Sequence, residues 1–231
     1  MLEGARGNAL RLLRLSMEAW AGEELPGIEE SLEQVPLVTL GAGDVLIRPG
    51  EPHPHAYYNL RGALRVQATI HDRIVTTGIR LEGEVVVDVT GLGLPFVRRA
   101  ASLDVYPGAR RLEGAAEGTA RYLVTALESS LLLRFDLPHL SELTEGAPGW
   151  GHLFMSYLVM NGLTAHDDLL LYRVGTPAER YTALADARPE LLRRITQREL
   201  ALLLGVSEAG LSRVVKRVNT GGVVRSRVSG R

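Results

Sequence analysis

The stretch Ile195–Val218, ITQRELALLLGVSEAGLSRVVKRV, decides the fold of the last part of the chain and organises the rest. Leu200, Leu203 and Leu204 recur at helical spacing and are expected to face inward, and Thr196 stands where a hydroxyl accepts from the free amides of a first turn. Thr196-Gln197-Arg198-Glu199 has the form of a capping box. Ala201 is small where a second helix must approach, and Gly205 falls where the chain leaves the helix, a place that favours a residue at ease with positive φ. Val206 then points into the core and Ser207 caps the next helix, in which Leu211, Val214, Val215 and Val218 form a buried stripe. Its other face carries Glu208, Ser212, Arg213, Lys216 and Arg217. A short helix, a tight turn and a second helix with an exposed polar amino-terminal end is a helix-turn-helix, the form that enters a DNA major groove.

The charge around this stretch agrees. Residues 173–231 hold 12 Lys and Arg against 5 Asp and Glu, a net +7, which leaves −8 on residues 1–172. A basic module joined to an acidic body fits a polyanion-binding domain attached to one that does not bind DNA. Upstream, Thr176-Pro177-Ala178-Glu179 starts another helix, with a capping Thr, Pro at the first helical position and Glu at the third. The segment at Val174 and Gly175 therefore reads as a hinge. Before it, WGHLFMSYLVMNGLTAHDDLLLYRV repeats Leu153, Tyr157, Met160, Leu163, Leu170 and Val174 at steps of three and four or their multiples, predicting a helix apolar on more than one side. Such a helix needs a partner, either within the chain or as a two-stranded dimer seam through Leu153, Tyr157, Met160, Leu163 and Leu170.

From Val35 to Phe135 the texture is short apolar runs broken by Gly and Pro: VPLVTL, DVLIRPGE, AYYNLRGALRVQATI, RIVTTGIRL, GEVVVDV and ARYLVTALESSLLLRF. These predict an antiparallel barrel or sandwich. Residues 91–118, rich in Gly, Pro and Arg, read as a long loop or insertion. Leu10, Leu13, Met17 and Trp20 predict a short leading helix over about residues 8–21. Cysteine is absent, which excludes disulfides, cysteine-ligated metal or iron–sulfur sites and thiol chemistry from this chain. There is no run of the length a membrane span requires and no leader-like apolar block, so a cytoplasmic protein without a membrane partner is expected.

These features together resemble the CRP/FNR family of bacterial regulators. The resemblance rests on Thr196, Gly205, Ser207 and Ser212-Arg213 in the helix-turn-helix, and on Gly43-Asp44, Pro49-Gly50-Glu51, Tyr57-Tyr58 and Gly62 in the barrel. It implies an α+β fold with three parts: a jelly-roll-like, cyclic-nucleotide-binding-like domain over 1–147, a dimerisation helix over 148–174, and a winged helix-turn-helix over 175–231. It also implies a homodimer on a two-fold-symmetric stretch of double-stranded DNA, in contact with RNA polymerase. Arg213 falls at the family's base-reading arginine, and Thr196, Gln197 and Ser207 at phosphate-contacting positions. Ala209 replaces the family's base-reading Glu, with Glu208 one position earlier. The wing reads as one basic strand after Gly221-Gly222, where Arg225, Arg227 and Arg231 meet phosphates.

Within the same resemblance, the effector pocket falls at Val87, Asp88 and Arg121. Val87 takes the place of the phosphate-binding Gly, and Ala120 that of the phosphate-binding Arg, with Arg121 one residue later and so on the opposite face of its strand. Cyclic AMP and cyclic GMP are disfavoured on this ground, and the small-molecule effector is left open, as is an effector-binding protein whose DNA-binding domain has degenerated. Arg98, Arg99, Arg110 and Arg111 read as solvated loop charges. An enzyme alternative, a metal-dependent cupin, rests on His53-Pro54-His55, but no Glu follows and Pro52 and Pro54 favour a turn. No cofactor and no catalytic residue is expected.

Overall fold

The computed structural model describes residues 2–88 and 118–220. It separates into two compact units, residues 1–161 and 162–231. The division falls inside one long helix.

In the first unit, helices α1 (Leu2–Ala21) and α2 (Ile28–Gln34) precede eight strands: β1 (Leu37–Leu40), β2 (Val45–Ile47), β3 (His55–Arg61), β4 (Leu64–Ile70), β5 (Arg73–Arg80), β6 (Val85–Val87), β7 (Tyr122–Ala126) and β8 (Ser130–Asp136). They form two four-stranded antiparallel sheets, ordered β1-β8-β3-β6 and β2-β7-β4-β5, the jelly-roll-like arrangement expected from the sequence. Every predicted apolar run contributes a strand. Helix α3 (Leu137–Gly146) follows, and then α4 (Pro148–Val174), 27 residues long.

Two apolar clusters share the sheet containing β8. Between the sheets lie Leu40, Ile47, Tyr57, Leu64, Val86, Val124 and Leu132. On the other face, Leu133 packs with Leu13, Leu25, Ile28, Leu32 and Trp150, and Tyr58 and Phe135 border them. Successive strand residues point to opposite faces, so Leu132 serves one cluster and Leu133 the other, as Tyr57 and Tyr58 do. Because helices cover the outer face, the run Leu131–Leu133 need not alternate with polar residues. Trp150 ties the start of α4 to this layer by donating from Nε1 to the Pro26 carbonyl at 3.0 Å.

The turn between β3 and β4 requires glycine. Gly62 has φ 108°, and a Cβ there would lie 2.7 Å from the Ser130 Cα. Asn59, fully buried, donates from Nδ2 to the Gly62 carbonyl at 2.8 Å and closes the turn. Asp88 performs a similar closure past β6. Its buried carboxyl oxygen Oδ2 accepts from the amides of Arg121 at 2.6 Å and Tyr122 at 2.9 Å, joining the end of β6 to the start of β7.

The second unit contains the end of α4, then α5 (Pro177–Ala187), α6 (Pro189–Arg194), α7 (Gln197–Leu204) and α8 (Glu208–Thr220). Thr176 and Glu179 make the predicted capping box: the Glu179 amide donates to Thr176 Oγ1 at 3.3 Å, and the Thr176 amide to Glu179 Oε2 at 2.7 Å. Hydrogen bonding to its carboxylate from the Thr176 amide, and then from the Thr176 side chain, holds Glu179 below its ordinary pKa. Leu200, Ala201, Leu204 and Leu211 form the core, bordered by Tyr181, Leu184, Leu192, Ile195, Val206 and Val215.

Several elements depart from the sequence reading. Helix α1 begins at Leu2 rather than near residue 8, α2 and α3 were not foreseen, and α5 and α6 are separate helices broken at Arg188-Pro189. Leu203 is half-buried rather than in the core, as are Val214, Val215 and Val218. His55 opens strand β3 instead of lying in a turn. The anticipated loop at 91–118 and the wing after Gly221 fall outside the described residues apart from Gly118.

Candidate nucleic-acid interface

Helix α7 begins at Thr196, whose Oγ1 accepts from the Glu199 amide at 3.2 Å. It ends at Gly205, which is left-handed with φ 67° and ψ 35°. That conformation lets the Gly205 amide reach the Leu202 carbonyl at 3.2 Å and the Val206 amide the Ala201 carbonyl at 3.0 Å, closing the helix and turning the chain at once. Ser207 then caps α8, accepting on Oγ from the Gly210 amide at 3.1 Å, while its carbonyl accepts from the Leu211 amide at 2.8 Å. Leu211 anchors α8 against α7 with no exposed surface.

This anchoring decides which face of α8 is outward. Glu208, Ser212 and Lys216 form one row at four-residue steps and Ala209, Arg213 and Arg217 the adjacent row. All six are exposed, as are Thr196, Gln197 and Ser207. Nine of the eleven residues picked from the sequence for DNA contact are thus exposed on α7, α8 and the turn between them. The other two, Arg225 and Arg227, lie outside the described residues.

A pair of contacts that sequence reasoning missed completes the α7 end. A helix leaves its last four carbonyls without intrahelical donors. Here Ala201 and Leu202 are served by the glycine turn. The Leu203 carbonyl accepts from the Tyr172 hydroxyl, and the Leu204 carbonyl from Arg180 Nη1 at 2.9 Å. The Arg180 guanidinium also sits 5.1 Å from the Tyr172 ring centroid. Burial, with Asp168 nearby, pushes the Tyr172 phenol above its ordinary pKa, so it remains a donor at neutral pH. These partners lie 31 and 24 residues from the carbonyls they serve, beyond any local pattern.

The candidate seam residues divide. Leu153 and Tyr157 are half-buried, Leu153 against the helical cluster and Tyr157 with its ring 6.5 Å from Trp20. Met160, Leu163 and Leu170 are 49%, 55% and 46% exposed, together with Val159 and Leu169.

At the candidate effector pocket, Val87 is half-buried, Asp88 buried and Arg121 exposed. Ala120, at the position expected of a phosphate-binding arginine, is buried in the core between the sheets. The two residues just before β7 thus are a buried alanine and an exposed arginine. The two histidines of the enzyme alternative do lie side by side, with ring centroids 5.4 Å apart and Tyr57 near both. Burial, and then the neighbouring His55, hold His53 below the usual imidazole pKa. His55 Nδ1 faces Asp136 Oδ1 at 2.7 Å. Among the described residues no three His, Asp or Glu side chains converge as metal ligands, and no helix is long and apolar enough to cross a membrane.

No family model matches the chain, and no curated protein matches it in sequence. Solved structures do. FixK2 from Bradyrhizobium japonicum superposes with TM-score 0.57 at 17% identity, covering 84% of this chain and 90% of that one. The c-di-GMP responsive global regulator CLP of Xanthomonas campestris gives TM-score 0.57 at 19% identity, over 87% and 94% of the two chains. TTHA1359, a CRP/FNR family transcriptional regulator of Thermus thermophilus, gives 0.50 at 19%, over 83% and 89%. The fold is that of the CRP/FNR regulators: a jelly-roll domain, a long helix and a helix-turn-helix.

Proposed function

We propose that the chain is a transcription regulator of the CRP/FNR type, which binds double-stranded DNA as a homodimer and places α8 of each copy in successive major grooves. The observation that carries this reading is the outward face of α8, where Arg213, Lys216 and Arg217 are exposed on a capped, glycine-turned helix pair. Arg213 reads a base and Thr196, Gln197 and Ser207 hold phosphates, with Arg225 and Arg227 adding charge. An arginine bonds both major-groove acceptors of guanine. Arg213→Ala is therefore expected to lose about 1–3 kcal/mol of discrimination at one base position per half-site. Fluorescence anisotropy on a panel of single-base operator variants measures it, and an unchanged preference at every position contradicts the assignment.

The homodimer forms along α4 through Leu153, Tyr157, Met160, Leu163 and Leu170. The exposure of the last three supports it, since water-exposed apolar rows on a long helix gain by pairing. Light scattering at micromolar concentration is expected to give twice the 25.1 kDa chain mass, and Leu163→Glu to give the chain mass alone. A wild-type monomer there removes the seam.

The jelly-roll domain acts as the sensor, with Val87, Asp88 and Arg121 marking its effector region and a ligand other than cyclic AMP. Ala120 and Val87 supply neither the guanidinium nor the close backbone approach that a cyclic phosphate needs. RNA polymerase is the protein partner this reading implies, in the cytoplasm.

A further inference from the structure

We propose that Tyr172 and Arg180 are positioning residues that fix the angle at which the helix-turn-helix leaves the end of α4, and so set the half-site spacing that the dimer accepts. The inference rests on the DNA-binding reading above. Its basis is the closure of α7, whose last two carbonyls are served from outside the helix-turn-helix: Leu203 by a hydroxyl on the last turn of α4, Leu204 by a guanidinium on α5. Water would satisfy those carbonyls equally well if capping were the only need.

The corner between α4 and α5 is tight. The Gly175 amide donates to the Leu171 carbonyl at 2.8 Å, and a Cβ on Gly175 would lie 2.5 Å from that oxygen. A glycine corner alone leaves α5 to α8 free to swing about one or two backbone torsions. Tyr172 precedes the corner and Arg180 follows it. Both bond adjacent carbonyls at the same helix end, and the guanidinium stacks on the ring. The cation also lies at the negative end of the α7 dipole. Three elements therefore meet at one point, and the segment read from sequence as a hinge is bridged. Two recognition helices on a dimer reach grooves about one helical turn apart, roughly 34 Å, only if each holds its angle to the dimer axis.

The test uses the full-length protein. Tyr172→Phe keeps the ring and removes only the hydroxyl; Arg180→Met keeps the stem and removes the fork. Affinity is measured for duplexes carrying one half-site and for duplexes carrying two at spacings varied by single base pairs. Each variant is expected to hold its melting temperature and single-half-site affinity within about twofold, to lose about tenfold or more on the best two-site duplex, and to flatten the spacing dependence. Unchanged two-site affinity and spacing preference overturn the proposal. So does a parallel loss on one-site and two-site duplexes with a lowered melting temperature, which is what a merely structural role gives. A DNA-free measurement separates this from the functional reading. The chain has no cysteine, so spin labels at Asp167→Cys and Asn219→Cys are site-specific. With labelled chains diluted in unlabelled protein, the distance distribution between them is expected to broaden in Tyr172→Phe. If wild type binds no DNA yet the distribution broadens, the functional reading falls and the clamp stands; an unchanged distribution removes the clamp.

Discussion

Leu211→Ala is expected to destabilise the C-terminal unit by about 2–5 kcal/mol, the cost of removing a buried leucine and leaving a cavity that helices close only in part. Leu211 has no exposed surface and packs on Leu200, Ala201 and Leu204, joining α8 to the helix before it. Domains of ordinary stability have about 5–15 kcal/mol in total, so the change removes a large fraction. Hydrogen exchange at α8 amides reports it directly, because opening of this helix pair exposes them without requiring the jelly roll to unfold. DNA binding should fall with it. Leu202→Ala is the control: that side chain is 39% exposed on α7 and its loss should cost within about 0.5 kcal/mol. Equal protection losses in the two variants would show that Leu211 does not hold the pair together.

Asp88→Ala should destabilise the jelly roll by about 1–3 kcal/mol, since it removes the buried carboxylate that accepts from the part-buried amides of Arg121 and Tyr122. Trp20 and Trp150, the two tryptophans of the chain, both lie in the N-terminal unit, so denaturation followed by their fluorescence isolates this effect. Asp88→Asn keeps one acceptor oxygen and should recover part of the loss. The result bears on the sensor as well. An unchanged midpoint in Asp88→Ala would free the carboxyl from a framing role and strengthen its assignment to an effector. The full loss makes Asp88 a poor ligand contact, because its oxygen is already engaged by the backbone.

What was legible in the sequence was what local rules encode. The helix-turn-helix announced itself because Thr196, Gly205 and Ser207 are each required by a helix end, and a helix end needs its residue within three or four positions. The strands were legible from short apolar runs between glycines. The outer helical layer was not. Helix α2 has only seven residues and α3 ten, too few turns for a periodic pattern to stand out, and α2 is held by Leu133 and Trp150 from distant parts of the chain. The signal for that layer lay instead in β8, where Leu131, Leu132 and Leu133 run without alternation because both faces are covered. The break at Arg188-Pro189 went unread although Pro189 signals it, since a proline interrupts a helix interior and is tolerated in a first turn. Asp88, drawn from sequence toward an effector, belongs in the structure to a backbone closure 33 and 34 residues long, and the bonds from Tyr172 and Arg180 to α7 span 31 and 24 residues. Long-range polar pairs of this kind leave no spacing to read.

Whether α8 reads sequence is decided by immunoprecipitating the chain with its bound DNA and sequencing that DNA across the genome of its source. Enrichment of a two-fold-symmetric motif is expected, with half-sites about one helical turn apart and one position in each losing its preference in Arg213→Ala. Even coverage without a motif, retained at low salt and lost at high salt in wild type and Arg213→Ala alike, is the signature of phosphate contact alone. That result would contradict the claim that α8 reads sequence.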